Sequence, residues 1–224
     1  MNPRDNSANM MQPSLLKSCT YTITKALLWL AFHSYLRLHV FGSERVPCTG
    51  PLLVASNHVS SLDPMVVGVA LRRQVFLLAR DSLLEGFPGW ILQIHGARPI
   101  RRGKADRAAI RLGIDLLGQG RTLVLFPEGT RSWDGRLQPI RAGIGLIASR
   151  AQSPVLPVFI GGVADIMPRT KRWPRPGSIH VLIGDPLPPP EQNSDGSEGH
   201  RMLVRDLENS LRGLQEEWDS RSGR

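Results

Sequence analysis

Five short apolar runs, separated by stretches with helical patterning, constrain this chain more than any other feature. They cover residues 51–56, 75–79, 122–126, 155–160 and 179–183, and each is rich in Val, Leu and Ile. None alternates apolar with polar residues. Strands buried on both faces read this way, whereas a strand with one wet face alternates. Helical patterning over residues 64–71, 88–94, 105–118 and 142–150 fills the intervals, and 198–218 reads as a closing helix. The alternation predicts an α/β fold: a layered α-β-α sandwich around a mostly parallel or mixed sheet. Residues 185–199, rich in Pro, Gly, Ser and acids, read as a loop. With 224 residues, 41% of them hydrophobic, the chain fits one domain with a real core and argues against disorder along its length.

The N-terminal part divides into a flexible polar stretch, 1–13, and an amphipathic helical element, 14–41, ahead of the main domain, 42–224. A helix is expected from Ser14 to about Val40, with Gly42 ending it. Ile23, Leu27, Trp29, Leu30, Phe32 and Leu36 build its broad apolar face, punctuated by Lys25, His33 and Arg37. Such a helix either lies in a lipid interface with its aromatic residues at headgroup depth, or packs on its own domain. The longest apolar run here, 26–32, is far short of the roughly 20 residues a membrane span needs. No A-x-A cleavage signature follows it. The expected location is therefore the cytoplasmic face of a membrane, peripheral or monotopic.

The formal charge of +9 and pI of about 10.7 favour anionic partners: nucleic acid, anionic lipid or phosphorylated substrates. The two cysteines, Cys19 and Cys48, form no C-x-x-C pair, which reads as free thiols in a reducing compartment.

Three segments carry candidate chemistry. Asn57-His58-Val59-Ser60-Ser61-Leu62-Asp63-Pro64 directly follows the apolar run at 51–56. Loops at strand ends of α/β sheets carry active groups. His58 and Asp63 stand five apart, which on a regular helix turns them to different directions; a turn between them would bring the carboxylate back to the imidazole. A carboxylate-held imidazole is a general base suited to neutral pH. On spacing alone, Asp63 as a helix cap beside an ordinary loop histidine fits equally well. Phe126-Pro127-Glu128-Gly129-Thr130-Arg131-Ser132 likewise follows an apolar run, and Gly129 permits close backbone approach to a substrate. Taken alone, this segment is a tight turn with a surface ion pair. Gly96-Ala97-Arg98-Pro99-Ile100-Arg101-Arg102-Gly103-Lys104 is a basic loop whose guanidinium forks suit phosphate oxygens, or a solvated basic turn.

In this order, the segments resemble the PlsC-like glycerolipid acyltransferase family, the lysophosphatidic acid acyltransferases and relatives. Its blocks are matched by NHVSSLD at 57–63, GARPIRR at 96–102, FPEGTRS at 126–132 and VLPV at 155–158. The likeness runs from about Gly42 to Gly184. It implies His58 as general base, Asp63 as the carboxylate that orients it, and Arg102 as the arginine on the acceptor's phosphate. Glu128 and Gly129 match the acceptor-binding pair, with Thr130 and Arg131 beside them, and Pro157 matches a structural proline. The implied reaction moves an acyl group from acyl-CoA or acyl-carrier protein to the free hydroxyl of 1-acyl-sn-glycerol-3-phosphate, giving phosphatidic acid without an acyl-enzyme. Another lysolipid or glycerol-3-phosphate is the alternative acceptor. The resemblance further implies an anionic membrane surface as partner, and no metal, no cofactor and no nucleic acid. The chain departs from the family pattern at Arg98, often apolar, at Arg101, often acidic, and at Arg141, where many relatives carry lysine. These departures bear on the acceptor headgroup.

Rival signals are weaker. Gly143 to Ala148 fits G-x-G-x-x-A, but a polar loop precedes it where a dinucleotide site needs a strand. Residues 96–104 lack P-loop spacing. Ser60 and Ser61 flank His58, but no G-x-S-x-G elbow occurs for a serine hydrolase. A metal set of His58, Asp63, His95 and Glu128 has no helix-spaced His pair to support it. A non-enzymatic polyanion binder would use the basic clusters 98–107 and 169–175, with Trp173 interleaved.

Overall fold

The computed structural model describes residues 15–80, 86–100, 105–171, 173–190 and 196–223. Seven strands form one sheet in the order β1-β7-β6-β2-β5-β3-β4. They are β1 (Leu38–Phe41), β2 (Leu52–Ser56), β3 (Val75–Arg80), β4 (Ala97–Ile100), β5 (Thr122–Leu125), β6 (Val155–Gly161) and β7 (Ile179–Ile183). All neighbouring pairs are parallel except β6 and β7, so the sheet is mixed. Every predicted strand is present. β2 and β6 are buried along their whole length, as uninterrupted apolar runs require.

The helices are α1 (Leu15–Ser34), α2 (Asp63–Ala70), α3 (Gly86–Ile94), α4 (Ala105–Gly118), α5 (Gly143–Ala151), α6 (Val163–Ile166) and α7 (Gly196–Ser222). Alternate strand residues face opposite layers. Leu52 and Val54 of β2 join Phe32 of α1 and Val66 and Val67 of α2 in one core. Leu53 and Ala55 join Leu117 of α4, Ile147 of α5 and Leu207 of α7 in the other. This is the expected three-layer sandwich. Gly145, in the stretch that mimics a dinucleotide fingerprint, lets α7 come close: a Cβ there would stand 2.8 Å from the His200 carbonyl oxygen.

The structure corrects the sequence reading at the sheet edges. The first helix does not run to Val40. It ends at Ser34, Arg37 takes a left-handed φ of 39°, and residues 38–41 pair with β7. Gly42 therefore follows a strand and ends no helix. β4 falls where a basic loop is expected. Its Arg98 is exposed and its Pro99 donates no hydrogen bond, both tolerated on an edge strand. The loop expected to reach residue 199 gives way to α7 at Gly196.

α1 has two apolar sides. Phe32 is buried and Leu28 packs on the core, so the helix does dock on its own domain. Ile23, Leu27 and Leu30, spaced along a different face, are exposed. No helix among the described residues is long and apolar enough to cross a membrane.

Candidate active site

β2 and β5 lie side by side and parallel, with Leu52 opposite Thr122 and Ala55 opposite Leu125. The chain leaves β2 for α2 on one face of the sheet and leaves β5 toward α5 on the other. Adjacent strands whose connections diverge open a crevice at their carboxyl ends, where open α/β sheets bind ligands. The loops after these two strands are the two strongest candidate segments.

In the first loop, His58 Nδ1 lies 2.8 Å from Asp63 Oδ2. The same oxygen accepts the backbone N–H groups of Val59 at 2.7 Å and Ser60 at 2.8 Å. Residues 58–60 thus wrap around the carboxylate, which overcomes the unfavourable helical spacing. Asp63 is fully buried in the first turn of α2, where the helix dipole favours negative charge. It makes no side-chain cap, so the capping alternative falls away. Nδ1–H donates to the carboxylate, which assigns the acceptor lone pair to Nε2. The imidazole stacks on Phe126 at 4.2 Å between ring centroids, and the His58 side chain keeps 19% of its surface exposed. One face is packed while the ring still reaches solvent.

Glu128 joins the two loops. Its Oε1 accepts the N–H of His58 at 2.8 Å and its Oε2 that of Gln138 at 3.2 Å. Ser132 N–H in turn donates to the His58 carbonyl at 2.7 Å. Burial pushes the Glu128 carboxyl up to about 7; the two N–H bonds oppose that shift, and Asp63 and Asp134 add to it. The surface ion pair between Glu128 and Arg131 that the lone segment suggests is not among the ion pairs of the described residues. Gly129 has φ 74°, and the Arg141 guanidinium lies against the place a Cβ would take. Thr130 is exposed and Arg131 partly buried, its carbonyl accepting from Arg169 at 3.0 Å. Pro157 is buried in β6, in register with Ala55. Arg101, Arg102 and Lys104 lie outside the described residues.

Several contributors escape the sequence reading. Asn57 accepts the Ile160 N–H at 2.7 Å and donates to the Ile160 carbonyl at 3.1 Å, tying the end of β2 to β6. Ser60 donates to the Met167 carbonyl at 2.8 Å and is fully buried, so its hydroxyl serves structure and not attack. A polar residue directly after a buried strand was the one available signal for Asn57. His95 bonds Thr24 of α1 at 2.9 Å and packs against Tyr21, so the quartet considered as a metal set is not assembled among the described residues. A shallow apolar recess lies between α1, α2, α3 and β3, with Leu28, Met65, Val69 and Leu92 among its walls. Pro64, next to Asp63, also lines it.

Comparison with known proteins places the chain in a family and a fold. A chloroplastic 1-acyl-sn-glycerol-3-phosphate acyltransferase of Brassica napus is 28% identical over 168 residues, covering 72% of this chain and 49% of that protein. The 1-acyl-sn-glycerol-3-phosphate acyltransferase alpha of Mus musculus is 32% identical over 173 residues, covering 75% and 60%. The chain spans about half the length of the curated relatives it matches. In fold, it is similar to the crystal structure of the 1-acyl-sn-glycerophosphate acyltransferase PlsC from Thermotoga maritima. The TM-score is 0.72 at 24% identity, covering 92% of this chain and 84% of that one. The sequence model described as Acyltransferase matches residues 37–161, a segment that holds both candidate loops and more than half of the chain, and on that match the protein belongs to the acyltransferase family.

Proposed function

We propose that the protein transfers an acyl group from acyl-CoA or acyl-carrier protein to the free hydroxyl of 1-acyl-sn-glycerol-3-phosphate, forming phosphatidic acid, with His58 as general base. The observation that carries this reading is the 2.8 Å contact between His58 Nδ1 and Asp63 Oδ2 at the mouth of the crevice. The relatives named as 1-acyl-sn-glycerol-3-phosphate acyltransferases support the acceptor.

In this mechanism Nε2 of His58 removes the proton as the hydroxyl oxygen attacks the thioester carbonyl. Asp63 stabilises the imidazolium. The tetrahedral intermediate collapses with cleavage of the C–S bond, and the imidazolium returns its proton to the departing thiolate. No covalent acyl-enzyme forms. Arg102 binds the acceptor's phosphate, assisted by the segment of Gly129, Thr130 and Arg131. Glu128 acts by holding the backbone beneath His58. The recess beside Pro64 and Met65 suits an acyl chain. The exposed row of Ile23, Leu27 and Leu30 on α1 rests in the interface of an anionic membrane at its cytoplasmic face.

The test is an acceptor panel assayed with one labelled acyl-CoA and with acyl-carrier protein. Lysophosphatidic acid is expected to be the best acceptor, ahead of glycerol-3-phosphate and other lysolipids. His58→Ala should cut the rate of product formation by about 10²–10⁴. Arg102→Ala should raise KM for phosphate-bearing acceptors by about 10–100-fold, as expected for a lost charge-assisted bond. Undiminished turnover in His58→Ala would remove the base from this scheme.

A further inference from the structure

We propose that the segment of residues 167–171 and 173–175 forms a second membrane-docking element, separate from α1, that seats the mouth of the crevice on an anionic lipid surface. The proposal rests on the reading of the protein as an enzyme of membrane lipid and adds the surface by which its active end meets the bilayer.

β6 runs parallel to β2, so the chain leaving Gly161 emerges at the edge of the sheet that carries His58. After α6, the segment is tied to both catalytic loops. Ser60 of the first donates to the Met167 carbonyl at 2.8 Å, and Arg169 donates to the Arg131 carbonyl of the second at 3.0 Å. Tyr35, just past α1, donates to the Pro174 carbonyl at 3.4 Å. Arg175 N–H closes the segment on the Ile166 carbonyl at 3.0 Å. It is a strap fastened at several points, not a free loop.

Its outward chemistry fits a lipid headgroup layer. Trp173 is 83% exposed, and Lys171 and Arg175 on either side of it are exposed too. Trp133, 78% exposed on the second catalytic loop, carries the Arg169 guanidinium 4.0 Å from its ring centre. No acidic residue occurs between Asp165 and Asp185. Tryptophan settles at the membrane–water interface, with its apolar body inward and its N–H wet. Neighbouring cations are drawn to anionic headgroups. Nucleic acid would also attract the cations and stack on indole. What favours lipid is continuity: the strap is bonded to the end of α1, whose exposed Ile23, Leu27 and Leu30 offer a polyanion nothing.

The experiment uses the full chain with Trp173→Ala, and separately with the pair Lys171→Ser and Arg175→Ser. Circular dichroism and thermal unfolding check that each folds; all three side chains are solvent-facing. Partition is measured on sedimenting phosphatidylglycerol–phosphatidylcholine vesicles and on phosphatidylcholine vesicles. The paired variant should bind anionic vesicles about 25-fold more weakly, roughly fivefold per charge. Trp173→Ala should lose affinity several-fold for both kinds. In both variants kcat/KM should fall on vesicle-borne lysophosphatidic acid and stay unchanged on a short-chain acceptor below its micelle concentration. Unaltered vesicle partition in both variants overturns the proposal. So does a result in which only binding of a duplex oligonucleotide is lost. If the unaltered protein transfers no acyl group to any acceptor, the function reading fails, and vesicle partition still decides whether the strap docks.

Discussion

Glu128 and His58, 70 residues apart in sequence, meet through a single backbone bond: the His58 N–H donates to Glu128 Oε1 at 2.8 Å. With Gln138 N–H on the other oxygen, both carboxyl oxygens of Glu128 are engaged by main chain. The glutamate of the second loop thereby sets the height and direction of the histidine in the first.

This arrangement has a pH signature. The Glu128 carboxyl is pushed from 4.5 up to about 7, chiefly by burial. Between those values the folded protein holds more proton at this group than the unfolded chain does, so its contribution to stability falls as pH rises through the window. Glu128→Gln removes the titration but leaves one of two amide donors without an acceptor. The variant should be less stable, and the gap to the wild type should narrow from pH 4.5 to 7, by on the order of 1–3 kcal/mol. Urea unfolding of both proteins at several pH values checks this; a constant gap would contradict it.

Asp63 Oδ2 receives three donors, from His58, Val59 and Ser60. Asp63→Asn keeps a carbonyl oxygen for them but loses the charge that stabilises an imidazolium. The expectation is a fall in kcat of about 10²–10⁴ with little change in KM. Steady-state kinetics at saturating acceptor reads it directly.

Gly129→Ala asks an L side chain to adopt φ 74° and puts a Cβ 2.5 Å from Arg141 Nε. The left-handed backbone costs about 1–2 kcal/mol. The clash is with a flexible side chain, so the Arg141 guanidinium swings away and does not unfold the turn. Activity losses in Gly129→Ala and Arg141→Ala should therefore overlap, with the double variant no worse than about the larger single one. Full additivity of the two losses would show that the guanidinium had kept its place.

Asn57→Ala strands the buried N–H and C=O of Ile160. Each unsatisfied group costs about 1–3 kcal/mol, so a loss of roughly 2–5 kcal/mol is expected from chemical denaturation. Wild-type stability would mean that β2 and β6 are held together there by their ladder alone.

The central strands were legible in the sequence because double-sided burial leaves uninterrupted Val, Leu and Ile, as along β2 and β6. The edges were not. Residues 38–41 continue an apolar helical pattern and become a strand only because β7 offers them a partner. Residues 97–100 carry an arginine and a proline that an edge position tolerates. His58 and Asp63 were visible as residue types at a strand end, since that chemistry is local. Whether they touched was a matter of three dimensions, settled by the backbone N–H groups of Val59 and Ser60 turning onto one carboxylate oxygen. Glu128 could be read as a conspicuous acid but not as the support beneath His58, nor Ser60 as an anchor for Met167, because spacing along a chain carries no record of contacts made across a sheet.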